Sequence, residues 1–465
     1  MKQFVVRILS IAFAVSVIVV SHSQAQITLF AVGDLTQSRA GSYTDLSHLN
    51  YTLENGVAAN YLGGLGSAIT YAGGKTFLAL PDRGPNAVSF DSNVDDTVSY
   101  INRFHTITMD LRANKGPGLP YTLTPTLQAT NLLWSFAPLV YGSGDGTVGS
   151  GVPPINGLFF HFFTGRSDNF DPAQNSGNPN NARFDTEGIR VSNDGFSVFM
   201  SDEYGPYVYQ FDRLTGLRVR SFQLPSSFYV TTLSAMGNAE IADNTIGRVA
   251  NKGMEGLAIT PDGKTLVGIM QNALIQDAAE GGDAKNLLRI VTIDIKSGAV
   301  THQYGYLLTT GSGVSEILAI NNNEFLVDER DGKGRGDGSK AKIKQLFKID
   351  LSTAVDISDM DGLTAAANAV SKTLFLDFVQ LMTDNGTASS DIPAKIEGMS
   401  FGADVKQGKT TYHTLWIAND NDFLQTVDDP DGNPIDNPNQ FFVVGFTDSD
   451  LGGSRYSPQH PRPLF

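Results

Sequence analysis

The chain has 465 residues, a formal net charge of −15, no cysteine, 48 glycines and 10% aromatic residues. The acidic excess argues against nucleic acid or an anionic membrane as a partner, and it suits the binding of cations. The absence of cysteine excludes a small disulfide-stapled domain, so the fold must be held by a core of many short strands or by bound metal.

The first 25 residues have the features of a cleavable export signal. Lys2 and Arg7 precede a 13-residue apolar run from Ile8 to Val20, and the small-residue cleavage site Ser23-Gln24-Ala25 follows. The run is shorter than the ~18 apolar residues that favour a membrane span, and no later stretch reaches that length. We therefore predict cleavage near Ala25, a periplasmic or secreted protein with no integral membrane segment, and one domain over residues 26–465.

The segment from Ile27 to Leu35 has the pattern of a strand without a partner nearby in the sequence. In a ring of sheets, such a terminal strand completes the last sheet and closes the circle. A hairpin follows, from Gly66 to the acidic-basic pair Asp82-Arg83. Two more strands, one of them showing half-buried alternation from Phe104 to Leu111, extend this first module to about Leu132.

A glutamate-led hairpin then recurs along the chain. Glu187, Glu255, Glu316 and Glu397 each begin a short apolar strand, at spacings of 68, 61 and 81 residues. Because each module has up to four antiparallel strands, the recurrence predicts an all-β fold, a β-propeller. Five modules are visible; residues 133–183 or 226–250 could supply a sixth blade, so the range is five to seven. Residues 133–183 match no strand template and are otherwise predicted to be an insertion.

The strand ends place acidic residues together. The start of the first strand and the end of the second strand share one edge of an antiparallel hairpin, so the modules direct carboxylates at one mouth of the central channel. The predicted metal ligands are Asp82, Glu187, Asp202, Glu203, Glu255, Glu316, Asp328, Glu397 and Asp420. Carboxylates packed closely cannot all stay ionised without cations, and calcium takes about six to eight oxygen ligands. Calcium is therefore the predicted cofactor; for a single glutamate, a simple turn residue is the alternative.

Six short motifs carry a family resemblance. They are Asp82-Arg83-Gly84-Pro85-Asn86, Thr186-Glu187-Gly188-Ile189, Ser201-Asp202-Glu203-Tyr204-Gly205-Pro206, Asn251-Lys252-Gly253-Met254-Glu255-Gly256-Leu257, Asp328-Glu329-Arg330 and Ile396-Glu397-Gly398-Met399. In this combination, over roughly Leu62 to Phe446, the chain resembles the bacterial phytase-like, esterase-like β-propeller proteins. The resemblance implies phosphoester hydrolysis, and phytases of similar architecture hold calcium at an acidic channel mouth.

A phosphoester hydrolase also needs positive charge for the phosphate and an activated water. Arg83 and Arg330 adjoin acids at the ends of second strands, and guanidinium groups match phosphate oxygens with paired hydrogen bonds. The predicted catalytic set is Arg83, Arg330 and Glu329, with Lys333 and Arg335 as further basic candidates. Neutralisation of adjacent carboxylates is the alternative role of the two arginines. We expect a small phosphorylated substrate and a monomer.

Two other functions fit the sequence. A gluconolactonase-type lactonase also holds calcium in a propeller channel, but it needs fewer acids and no arginine clamp. A non-catalytic exported propeller would use the metal for stability alone and bind a partner elsewhere. A serine hydrolase of the Gly-x-Ser-x-Gly type is excluded because that motif is absent.

Overall fold

The computed structural model describes residues 27–35, 43–142, 151–205 and 207–464. The predicted export signal, residues 1–25, lies outside the described residues. The described chain forms five four-stranded antiparallel sheets, which confirms the predicted β-propeller and fixes it at five blades. No helix in the described part of the chain is long and apolar enough to cross a lipid bilayer.

The strands of the first three blades follow the chain in order. Strand β1 (Thr28–Asp34) comes first but belongs to the fifth blade. Blade one contains β2 (Ala68–Tyr71), β3 (Thr76–Leu80), β4 (Arg103–Ala113) and β5 (Tyr121–Leu132). A short pair outside the blades contains β6 (Trp134–Ser135) and β7 (His161–Phe162). Blade two contains β8 (Thr186–Val191), β9 (Ser197–Asp202), β10 (Val208–Asp212) and β11 (Arg218–Phe222). Blade three contains β12 (Met254–Ile259), β13 (Thr265–Met270), β14 (Leu287–Asp294) and β15 (Val300–Leu307).

The last two blades complete the ring. Blade four contains β16 (Gly313–Ala319), β17 (Glu324–Arg330), β18 (Lys344–Asp350) and β19 (Lys372–Asp377). Blade five contains β20 (Lys395–Phe401), β22 (Thr410–Asp420), β25 (Gln440–Phe446) and the N-terminal β1. Its loops carry β21 (Val405–Gln407), β23 (Thr426–Asp428) and β24 (Pro434–Asp436). The helices are short: α1 (Gly237–Ala242), α2 (Ile275–Ala279), α3 (Gly362–Ala366) and α4 (Phe378–Asp384).

The innermost strands form a closed ring around the channel. Strands β2, β8, β12, β16 and β20 contact one another in this order, and β20 contacts β2. Strand β1 pairs with β25 as the outermost strand of blade five, so the predicted closure of the ring by the N-terminal strand is confirmed. No sixth blade occurs among the described residues, where residues 226–250 contain α1 and a 3-10 helix instead.

Glycines follow the inner-strand glutamates because neighbouring blades approach closely there. A β-carbon on Gly256 would lie 2.8 Å from the backbone nitrogen of Ile317 in blade four. A β-carbon on Gly398 would lie 2.8 Å from the carbonyl oxygen of Gly66 in blade one. The Glu-Gly pair therefore serves two purposes: the glycine admits the next blade, and the glutamate is left free to carry charge.

Apolar side chains fill the interfaces between the blades. One buried cluster joins blades three and four through residues such as Ile269 and Val327. Another joins blades one and five, where the rings of Phe77 and Trp416 lie 4.6 Å apart. Because each blade buries both faces against its neighbours, the five sheets form one rigid ring that can hold side chains at the channel mouth.

Candidate active site

A cavity of about 240 Å³ lies at one mouth of the channel, and all five blades contribute to its lining. Its eight carboxylates are Asp82, Asp185, Glu187, Glu203, Glu255, Glu397, Asp420 and Asp422. Its three cationic side chains are Arg83, Arg330 and Lys395. Ser67, Asn86, Asn251 and Gln271 complete the polar wall. The cavity therefore collects a large excess of negative charge at one place in the fold.

A recurring β-bulge accompanies the inner-strand glutamates. The pairing between first and second strands shifts register at this point in β8, β12, β16 and β20. A bulge twists the strand locally and re-aims a side chain. At Glu187, Glu255 and Glu397 the side chain lines the cavity. Strand β2 of blade one has neither a bulge nor a glutamate at this position.

Three acids of blade two form the tightest cluster. Asp185, Glu187 and Glu203 each offer a carboxylate oxygen, and these atoms lie within 4.8 Å of one another. Asp185 and Glu203 are buried, and Glu187 is half-buried. Among the described residues, Oε1 of Glu203 has no hydrogen-bond partner. A buried carboxylate oxygen without a donor is costly, so this geometry points to a cation as the missing partner.

The electrostatics of the cavity agree with that geometry. Burial, followed by repulsion from Asp185, raises the pKa of Glu203 to about 7. Burial also raises the pKa of Glu187 and of Glu255 well above the usual range for glutamate, and in both cases a neighbouring glutamate adds to the effect. The pKa of Asp82 is raised well above its usual range by burial and by Asp420. Without added positive charge, the cavity cannot keep all its acids ionised.

The three cationic side chains each contact carboxylates of the cavity. Nη1 of Arg83 lies 3.3 Å from the Asp185 carboxylate. Arg330 forms an ion pair with Glu397, and its Nε donates to Ser315 Oγ at 2.9 Å.

Lys395 completes this set. It lies 3.0 Å from Asp420 and also forms an ion pair with Asp422. The side chains of Arg83 and Arg330 are each 15% exposed, and that of Lys395 is 32% exposed. All three can therefore reach a ligand in the cavity.

Six of the nine predicted metal ligands line the cavity; Asp202 is one of the three that do not. Its carboxylate accepts hydrogen bonds from the backbone N–H groups of Asp185 at 3.1 Å, Tyr204 at 3.0 Å and Gly205 at 3.3 Å. Asp202 therefore shapes the loop that presents Glu203 and Asp185, while its neighbour in sequence carries the exposed charge.

Glu316 lies deeper in the channel, where it closes the space below the cavity. Its carboxylate is 2.8 Å from Arg190 of blade two and accepts from the backbone N–H of Leu257 in blade three at 3.2 Å. The Arg190 guanidinium also donates to the carbonyl oxygens of Ile69 in blade one, at 3.0 Å, and Ile317 in blade four, at 3.1 Å. This Arg190–Glu316 plug links four blades across the channel axis.

The remaining predicted residues lie outside the cavity. Asp328 is buried, and burial raises its pKa well above the usual range. Glu329, predicted as catalytic, lies on the other face of β17, where it accepts from Tyr306 at 2.5 Å and forms an ion pair with Lys372. Lys333 is exposed on its loop, and Arg335 contacts Gln440.

Three charged residues of the cavity were missed by the sequence analysis. Asp185 and Lys395 each lie two residues before a predicted glutamate, and Asp422 lies two residues after Asp420. Side chains two apart on a strand share a face. The offset of two from an inner-strand glutamate or a second-strand acid was therefore the signal that could have identified them.

The fold and the cavity together define a five-bladed β-propeller with a carboxylate-lined channel mouth. Comparison with known proteins gives the particular family. The chain belongs to the family described as "Phytase-like: Esterase-like activity of phytase", whose model matches residues 60–423. The resemblance seen in the sequence motifs is thereby confirmed, and the matched range contains most of the cavity's charged residues, including Asp82, Glu255 and Asp420.

Individual relatives are more distant. An "Uncharacterized secreted protein" of Arthroderma benhamiae is 27% identical over 322 residues, and the match covers 58% of this chain and 59% of that protein. A periplasmic gluconolactonase of Pseudomonas aeruginosa is 12% identical, with 90% of this chain and 99% of that one covered at a TM-score of 0.32. A putative 6-phosphogluconolactonase from Bacteroides fragilis is 11% identical, with 90% and 95% covered and the same TM-score of 0.32. At these values, the two structures give no information about the substrate of this chain.

Proposed function

We propose that this chain is an exported, calcium-dependent phosphoester hydrolase whose active site is the acidic cavity at the channel mouth. One observation carries the proposal: eight carboxylates and three cationic side chains surround a single cavity of about 240 Å³. Membership of the phytase-like family supports the hydrolytic class. The name of the Arthroderma relative, a secreted protein, supports export, with signal cleavage near Ala25.

The residues present fit a hard cation such as calcium. Two oxygens on opposite sides of a calcium ion with bonds of about 2.4 Å are about 4.8 Å apart. The oxygens of Asp185, Glu187 and Glu203 lie within 4.8 Å of one another, so one ion can contact all three. Glu255 adjoins this cluster, since its charge and that of Glu203 perturb each other. These four residues would hold the cation, which when bound would polarise a phosphoryl oxygen and acidify a bound water.

The chain's own cations would hold the phosphate. Arg83, Arg330 and Lys395 come from blades one, four and five, so they approach the cavity from different directions. Asp185 orients Arg83 by accepting from its backbone N–H at 3.2 Å and pairing with its guanidinium. Buried cations that are already oriented bind phosphate without a large loss of side-chain entropy. Glu329 has no part in this proposal because it lies on the opposite face of β17.

The lactonase alternative requires less than the cavity contains. A lactone has no anionic group that needs three convergent cations, so Arg83, Arg330 and Lys395 favour a phosphorylated substrate over a neutral ring ester. A purely structural metal site would not need them either. Both alternatives are nevertheless separated from phosphoester hydrolysis by the assay described next.

The test combines activity with stability. Release of phosphate or p-nitrophenol from p-nitrophenyl phosphate, its bis-ester and phytate is measured with calcium and with chelator, and gluconolactone hydrolysis is measured in parallel. Glu203→Gln should lower calcium affinity and phosphoester kcat/KM by at least about tenfold, because it removes one charged ligand from the cluster. Asp431→Asn, in an exposed turn, is the matched control and should match the unmodified protein in both.

A second readout separates a metal site from a structural carboxylate. Without calcium, Glu203→Gln should melt at a higher temperature than the unmodified protein, because one repelling charge is gone. With calcium, the order should reverse, since binding stabilises the native state in proportion to affinity. Equal melting temperatures in both conditions, or turnover of lactone but no phosphoester, would refute the proposal.

A further inference from the structure

We infer that an apolar pocket beside the acidic cavity receives the alcohol part of the substrate, so that the preferred substrate is a phosphoester of an alcohol carrying an aromatic ring. The inference rests on the proposed function for the position of the phosphate. It concerns a different set of residues, none of which is a predicted metal ligand or catalytic residue.

The pocket has a volume of about 250 Å³ and is lined mainly by apolar side chains. They include Val57, Ala58, Tyr61, Pro85, Val88 and Phe423. An engineered apolar cavity of about 150 Å³ is large enough to bind benzene. This pocket is therefore large enough for one phenyl ring and the carbon that links it to an oxygen. Val88, at its rim, is 41% exposed, so the ring can enter from solvent.

The pocket and the acidic cavity adjoin each other. Asp422 lines both of them. Asn86 lines the acidic cavity, while its chain neighbours Pro85 and Ala87 line the pocket. One small molecule can therefore place its phosphate among the cations and its apolar end in the pocket. A substrate that is polar over its whole surface, such as phytate, would leave the pocket without an apolar occupant.

The floor of the pocket is held in a fixed conformation. Asp422 and Phe423 have φ values of 51° and 57°, in the left-handed region that such side chains rarely adopt. The Phe423 ring packs edge-on against Tyr100, with 5.2 Å between the centroids. Gly64 admits it closely, since a β-carbon there would lie 2.7 Å from a ring atom. Backbone strain that is maintained by packing beside a charged cavity is typical of functional sites.

The loop on the opposite wall is also anchored. The side-chain nitrogen of Asn55 donates to the carbonyl oxygen of Pro85 at 2.7 Å, and Gly84 packs under Tyr100 with a φ of 114°. Both walls are thus set before a ligand arrives. A preformed apolar pocket binds a ring without the cost of ordering its own side chains.

The experiment compares benzyl phosphate with methyl phosphate, whose alkoxide leaving groups are similarly basic, in calcium buffer. The kcat/KM for benzyl phosphate should exceed that for methyl phosphate by roughly tenfold to a hundredfold, the range set by a few apolar groups in a pocket. Ala58→Trp fills the pocket from its exposed rim and should bring that ratio close to one without changing methyl phosphate turnover. Ala173→Trp, at an exposed position outside both cavities, is the matched control and should leave the ratio unchanged.

Binding of two non-hydrolysable probes, benzylphosphonate and methylphosphonate, is measured by calorimetry on the same variants. If neither ester is hydrolysed but benzylphosphonate binds more tightly and Ala58→Trp removes the difference, the pocket is supported and the proposed hydrolase function fails. If both esters are hydrolysed with equal kcat/KM that Ala58→Trp does not alter, the pocket inference is overturned and the hydrolase function stands. Equal binding of both phosphonates without turnover overturns both.

Discussion

Replacing Arg190 by methionine should destabilise the whole ring, because this side chain is the centre of the plug below the cavity. Its guanidinium pairs with Glu316 at 2.8 Å, and the two side chains are only 5% and 1% exposed. It also donates to backbone carbonyls of blades one and four. Methionine has a similar length but no charge and no donor. The variant therefore leaves a buried carboxylate and two buried carbonyls without their cation.

The magnitude follows from the burial of the pair. Removing one partner of a buried ion pair costs about 3–5 kcal/mol, mainly because the remaining charge stays desolvated. Burial raises the pKa of Glu316 to about 7, even with Arg190 beside it. At about pH 5, Glu316 is then mostly neutral and the loss of Arg190 matters less. The destabilisation should therefore grow from about pH 5 to about pH 8, as the carboxylate ionises.

Urea denaturation in calcium-free buffer measures this effect for Arg190→Met, Glu316→Gln and the double variant. The double variant should be at least about 2 kcal/mol more stable than the sum of the single changes predicts, because it removes both charges together. A double variant whose free energy of unfolding is additive, or an Arg190→Met cost of less than about 1 kcal/mol at about pH 8, would show that the plug is not a coupled buried pair.

Three further changes test other parts of the molecule. Burial lowers the pKa of His105 to about 4, so its neutral form favours the folded state; stability should fall as pH drops from about 6.5 to 4, and His105→Asn should remove up to about 3 kcal/mol of that fall in pH-dependent urea titrations. Glu329→Gln weakens the contact with Lys372 and should cost about 2–3 kcal/mol in urea denaturation while leaving calcium affinity by calorimetry unchanged; lost turnover at full stability would restore its predicted catalytic role. Gly165→Ala places a β-carbon 1.7 Å from the carbonyl oxygen of Arg83, so it should displace that residue, reduce phosphoester kcat/KM and lower stability by about 1–3 kcal/mol; unchanged kinetics would show that the position of Arg83 is unimportant.

The propeller could be predicted from the sequence because its signals are local and repeated. Each hairpin carries its own turn residues, such as Gly195 and Gly263, which adopt φ values of 79° and 72°. The strand that closes the ring could be predicted because it has no neighbour of its own. The blade number remained open until the structure showed that residues 133–183 contribute only β6 and β7 to sheets among their described residues.

The site could be predicted only in part, because adjacent residues on a strand face opposite ways. Arg330 lines the cavity, so its neighbour Glu329 faces the interior of the blade instead. At the end of β9, the turn likewise separates Asp202 from Glu203. The sequence shows such acids as a group and does not reveal which member the bulge or turn directs inward. Glu316 has a bulge like the other glutamates, yet Arg190, from a different blade, draws it into the channel.

The pairing of β1 with β25 also determines the order in which the molecule can be assembled. The first strand of the mature protein hydrogen-bonds to one that lies more than 400 residues later, at Gln440–Phe446. During vectorial transport, the leading segment would cross first and find its edge partner last. The circle can then be sealed only on the far side of the membrane, once nearly the entire polypeptide has arrived.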